Sequence, residues 1–87
     1  MGEPLLFTYP NDYPLKVIGA AADDFASHVR LLVERAAPGV ALGEATVRSS
    51  SGGKYLSITM DARLESEEQR RAINEALKVD PRVVYFL

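Results

Sequence analysis

At 87 residues the chain has room for one domain with a single two-layer core. It contains no cysteine, which excludes disulfide staples and cysteine-based zinc sites. Ten basic residues stand against 12 acidic ones, a formal net charge of −2 with no block of like charge, so nothing offers an electrostatic footprint for nucleic acid or an anionic membrane.

The opening MGEPLLFTYPND has no basic n-region and only a short apolar run at Leu5, Leu6 and Phe7, so no signal peptide is expected. Leu6 stands where a myristoylation motif wants Ser or Thr. No apolar run approaches the ~20 residues that span a bilayer, and the expected location is cytoplasmic. Pro4, Pro10 and Asn11-Asp12 mark residues 1–12 as an irregular arm, which leaves 13–87 as the domain.

Tyr13 to Ile18 is a short β-rich run that tolerates Pro14 near its start and ends at Gly19. Asp23 or Asp24 then offers an N-cap for a helix whose Phe25, Val29, Leu32, Val33 and Ala36 share one stripe. Pro38-Gly39 stops it. After a loop through Gly43, Glu44 to Arg48 is predicted as the second strand. The third, Tyr55 to Leu64, alternates strictly, with Leu56, Ile58, Met60, Ala62 and Leu64 on one face and Tyr55, Ser57, Thr59, Asp61 and Arg63 on the other. Ser66-Glu67-Glu68-Gln69 is a capping box for a helix with a stripe of Ala72, Ile73, Ala76 and Leu77. Val83 to Leu87 closes the chain as a fourth strand. The order β-α-β-β-α-β predicts an α+β, ferredoxin-like sandwich: four antiparallel strands with both helices on one face.

The stretch from Ser49 to Met60, SSSGGKYLSITM, holds Ser51-x-x-Lys54, the spacing of a serine activated by lysine, and Gly53-Lys54, the tail of a phosphate loop. Lysine reaches serine at that spacing when both sit on one helical turn. Here glycines separate them and β-rich segments flank them, so Gly52-Gly53 reads as a hairpin turn. A phosphate loop needs a glycine where Arg48 stands and a helix where a strand follows. His28, the only histidine, flanks the apolar stripe of the first helix without the companions a metal site needs. Asp23-Asp24 and Glu67-Glu68 fit helix N-terminal charges better than an acid–base pair. No cofactor is implied. The third strand has one aromatic, Tyr55, where base-stacking RNA-recognition strands carry several, so nucleic-acid binding is not expected.

Pro14-x-Lys16-x-x-Gly19, Ala37-Pro38-Gly39, the hairpin Ser50-Ser51-Gly52-Gly53-Lys54-Tyr55-Leu56-Ser57 and the Glu-Gln pair opening the second helix resemble the YbeD-like family of small bacterial proteins. The resemblance runs over residues 7–87 and the hairpin is its most specific part. It departs at Ser49, where members often have Pro, and at Ala36, where they often have His. It implies a ferredoxin-like fold close to the ACT regulatory domain. Some members carry the label of lipoate regulatory proteins. ACT domains bind amino acids or other small effectors near the first strand–helix loop and a subunit interface, which by position would be Ile18-Gly19-Ala20 leading to Asp23-Asp24. An ACT effector loop usually reads Asp-x-Pro-Gly, whereas three alanines follow Gly19 here.

These readings favour a non-enzymatic regulatory or interaction module working through a protein partner or a small anionic effector. The alternative is an ACT-like domain binding an amino acid or similar effector. Lys16, Gly19, Arg48, Ser50, Ser51, Gly52, Gly53, Lys54 and Tyr55 are the candidate contacts. The last strand reads apolar on both faces, so something is expected to cover it: the arm through Leu5, Leu6 and Phe7, or a second copy in a homodimer.

Overall fold

The computed structural model describes residues 8–87, so the arm residues Leu5, Leu6 and Phe7 lie outside the described residues. The elements are β1 (Asn11–Ala20), α1 (Phe25–Ala36), β2 (Ala41–Leu42), β3 (Thr46–Ser49), β4 (Tyr55–Leu64), α2 (Glu67–Val79) and β5 (Val83–Phe86). The sheet is antiparallel, ordered β2-β4-β1-β5, with β3 paired to β4 beside β2. This is the ferredoxin-like α+β arrangement, with five strands where the sequence predicts four, because its edge strand is broken.

The period of two in β4 does what it predicts. Ile58, Met60, Ala62 and Leu64 are buried, and they meet Leu15 and Val17 of β1 under Phe25, Val29, Val33, Ile73 and Leu77 of the two helices. Each of these side chains larger than Ala62 contributes roughly 1.5–3 kcal/mol by leaving water. The other face, with Lys16, Thr59, Asp61 and Arg63, has no helix over it and is exposed.

β1 runs longer than predicted and carries Pro14 inside it. Its place is possible because the even residues of β1 turn their backbone groups toward β5, as the Lys16 carbonyl shows by accepting from the Leu87 N–H at 2.9 Å. Pro14 lies past the end of β5, where its missing N–H breaks no ladder bond.

Two bulges account for the remaining differences. On the edge strand, Leu42 pairs with Ala62 and Thr46 with Thr59, so three residues on the edge oppose two on β4. One residue is extra, and the inward side switches parity from Leu42 to Val47. A single strand over Glu44 to Arg48 is therefore corrected to Ala41–Leu42 plus Thr46–Ser49. On β5, Val83 pairs with Gly19 and Tyr85 with Ile18, which leaves Val84 extra. Val83 and Phe86 pack against the core, while Val84 and Tyr85 are both exposed.

The helix starts differ in kind. Ser66 Oγ accepts from the Gln69 N–H at 3.2 Å, and Gln69 Oε1 reaches back to the N–H of Glu65 at 2.7 Å, one residue earlier than a standard capping box. Asp24 occupies the N-cap of α1 but makes no side-chain cap bond. Its carboxylate is drawn away to Arg82.

Candidate functional site

The serine-glycine stretch is a turn. The Gly53 N–H donates to the Ser50 carbonyl at 2.9 Å, the Ser50 N–H to the Tyr55 carbonyl at 2.9 Å, and the Tyr55 N–H to Ser50 Oγ at 3.0 Å. Gly52 and Gly53 have φ of 90° and 73°, a region other residues enter only with strain. Ser50 is thus consumed in closing the hairpin. Ser51 and Lys54 lie in the turn rather than on a helix, so the geometry for lysine-activated serine chemistry is not present.

Around this turn the open face has a definite layout. Residues paired across an antiparallel sheet share a face, which gives one row of Arg48, Ser57, Ile18 and Tyr85 and another of Thr46, Thr59 and Lys16. Tyr55 stands opposite Ala20, one row further along, and is 44% exposed. Arg48 and Lys16 lie two strands and one row apart, about 12 Å between backbones, within reach of one ligand through their long side chains. Lys16, Arg48 and Lys54 make no ion pair among the described residues. Further down the face, Arg63 pairs with Asp12 at 3.1 Å. On this face, among the described residues, the positive charge without an ion pair lies toward the hairpin end.

The loop between β1 and α1 is built for packing. A Cβ on Gly19 would stand 2.3 Å from Phe25 Cζ and 2.4 Å from the Arg82 carbonyl oxygen. Gly19, named from sequence as a contact residue, is thus the glycine that lets α1 and the α2–β5 turn close on β1. It is buried beneath the Phe25 ring, which fills the space a side chain there would take.

Sequence reasoning missed the cluster that surrounds this packing. Arg82 spans Asp24 with two bonds of 2.8 and 3.3 Å, and its guanidinium sits 5.7 Å from the Phe25 ring centroid. Asp80 accepts from the Arg82 N–H at 2.8 Å through one oxygen and meets His28 Nε2 at 2.9 Å through the other. Arg82 holds the Asp24 carboxyl below its usual range by hydrogen bond and charge. The one available signal was topological: placing the last strand beside the first brings the 80–82 turn against the start of α1. A second missed cluster joins Tyr9, Arg70 and Arg71 to the carboxylate of Glu67. The Arg70 and Tyr9 hydrogen bonds lower Glu67 to about 2.

His28 therefore has a carboxylate partner, yet among the described residues no serine or threonine hydroxyl bonds to its ring. Among the described residues no three His, Cys, Asp or Glu side chains group to hold a metal ion. A groove of about 440 Å³ lies between α2 and β5, lined by Arg71, Asn74, Glu75, Lys78 and Phe86. Among the described residues no helix is long and apolar enough to cross a membrane.

Residues 5–87 match the family model described as Protein of unknown function (DUF493). The chain belongs to this family. A UPF0250 protein of Ralstonia nicotianae is 42% identical over 82 residues, covering 94% of this chain and 84% of its own. A UPF0250 protein of Nitrosomonas europaea is 34% identical over 87 residues, covering 100% of both chains. The solution structure of protein HP0495 from H. pylori aligns with a TM-score of 0.72 at 21% identity, over 98% of this chain and 89% of that one. That likeness extends the fold to a distant chain. The YbeD-like resemblance of the hairpin and first strand thus agrees with the family of the whole chain.

Proposed function

We propose that this DUF493 protein is a non-enzymatic regulatory or interaction module whose open sheet face, at the hairpin end, receives an anionic group of a protein partner or small effector. The observation that carries the reading is that Lys16 and Arg48 share one face without an ion pair among the described residues, beside Ser57, Thr59 and the exposed Tyr55 ring. A guanidinium, an ammonium and two hydroxyls around a shallow surface suit a carboxylate or phosphate. They supply no nucleophile with its base, and His28 is tied to Asp80 at the opposite layer.

The close packing of Gly19 against Phe25 and Arg82 weighs against the alternative, an amino acid held in the strand–helix loop in the ACT manner. The lipoate label carried by some relatives enters as one arm of the test. Amide chemical shifts are followed while amino acids, lipoate and a lipoylated lysine peptide are added separately. The reading predicts shifts at Lys16, Arg48, Ser57 and Tyr55 with at least one carboxylate probe, and their loss in Lys16→Ala/Arg48→Ala. Shifts confined to Gly19–Asp24 would favour the alternative. A folded double variant that kept all binding, including capture of the same partner from bacterial lysate, would sink the proposal.

A further inference from the structure

Four of the seven large apolar side chains exposed among the described residues, Val79, Val84, Tyr85 and Leu87, lie on or beside β5. They do not form one face. Val79 ends α2 in the helix layer, Val84 is the bulged residue at the strand, and Tyr85 lies on the open face with its row partner Ile18. An apolar belt that wraps from one layer to the other is buried by an edge-on contact, not by something laid on either face. β5 is also the terminal strand of the sheet, so its outer edge has no strand partner among the described residues.

The charges beside this edge say what fits it. The flank of α2 above β5 presents Arg71, Glu75 and Lys78, with Phe86 as the floor of the groove. Glu75 and Lys78 make no ion pair among the described residues, and Arg71 touches only the exposed carboxylate of Glu67 at 3.3 Å. Arg71 and Glu75 are one helical turn apart on the same side. Two such helices side by side and antiparallel bring each arginine to the other's glutamate. A surface with that property is complementary to itself, which is what a two-fold contact requires.

We infer that the β5 edge and the α2 flank form a two-fold interface between two copies of this chain, with the partner's Glu75 against Arg71 and the reciprocal pair across the axis. The belt of Val79, Val84, Tyr85 and Leu87 fills the space between the copies. The bulge at Val84 interrupts ladder bonding at the edge, so side chains rather than a continuous sheet carry the contact. The surface adjoins the open face, since Tyr85 shares the row of Ile18 and Ser57 and the Leu87 N–H donates to the Lys16 carbonyl. Its test reads molar mass and depends on no ligand.

The test is molar mass by light scattering over a concentration series at low salt, with circular dichroism to show that each variant is folded. The parent is expected to be a dimer. Glu75→Arg and, separately, Val84→Lys should each weaken dimerisation about tenfold or more, the equivalent of about 1.4 kcal/mol. The exchange Arg71→Glu/Glu75→Arg should restore it, since the reciprocal pairs re-form with their signs reversed. A parent that stays monomeric throughout the series overturns the inference. So does a dimer indifferent to Glu75→Arg, or one that Glu75→Arg breaks and the exchange fails to rescue.

Discussion

The ring of Phe25 occupies the place a side chain on Gly19 would need: a methyl group there would lie 2.3 Å from Phe25 Cζ. The same methyl would meet the Arg82 carbonyl oxygen at 2.4 Å, and a backbone atom cannot swing aside. Gly19→Ala should therefore cost about 1–3 kcal/mol as an overpacked core. Gly43→Ala is the control, because its nearest neighbour would be the Asp61 carbonyl oxygen at an ordinary 3.8 Å. Urea denaturation of both variants compares them directly. Equal midpoints would mean that β1 and α1 are not closed on each other as described.

Asp80 should matter more than Asp24, although both bond to Arg82. Asp80 has only 8% of its side chain exposed and satisfies the Arg82 N–H as well as His28. Asp80→Ala leaves that part-buried donor without its acceptor, at about 1 kcal/mol or somewhat more. Asp24 is 69% exposed, so water replaces it readily and Asp24→Ala should cost less. Thermal unfolding of the two variants tests the order, and the reverse order would mean that the bidentate pair, not the turn, anchors the start of α1.

The register of β4 gives a sharper contrast between neighbours. Ile58 is fully buried, and Ile58→Ala should cost about 2–5 kcal/mol. Ser57, one residue earlier, faces away from the helices, and Ser57→Ala should stay within about 0.5 kcal/mol. Equal losses would place both side chains in the same environment, against the alternation.

Where a pattern is local and regular, the chain announces its structure. The alternation from Leu56 to Leu64 and the Ser66–Gln69 cap are of this kind, and each is set by neighbours within a few residues. The edge strand was misread because its bulge switches the inward side from Leu42 to Val47, so no single parity describes it. The bulge at Val84 breaks the alternation of β5 in the same way. The packing at Gly19 is not legible locally, since only the fold brings Phe25 and Arg82 against it. The candidate contacts fall into two groups for a related reason. Lys16, Arg48 and Tyr55 share a face that period-two reasoning could find, whereas the Asp80–His28 and Tyr9–Glu67 pairs span more than fifty residues and needed the topology.

Acid should loosen the junction where residues 8–10 meet α2. Tyr9 donates to Glu67 Oε1 at 2.6 Å, and Arg70 and Arg71 bond to the same carboxylate. These donors favour the ionised form, so in the folded protein Glu67 falls from its ordinary 4.5 to about 2. A carboxyl with a depressed folded value binds protons more readily when unfolded. Its stabilising contribution is therefore complete above about pH 4.5 and is lost as the pH falls from there toward 2. Glu67→Gln cannot ionise and should lack this dependence. The gap in melting temperature between the parent and Glu67→Gln should be widest near neutral pH and close progressively through that window. Tyr9→Phe, which removes one donor and leaves the arginines, should show a smaller depression and close its own gap over the same range. A Glu67→Gln gap that stayed constant down to pH 2 would mean that the carboxylate does not hold this junction.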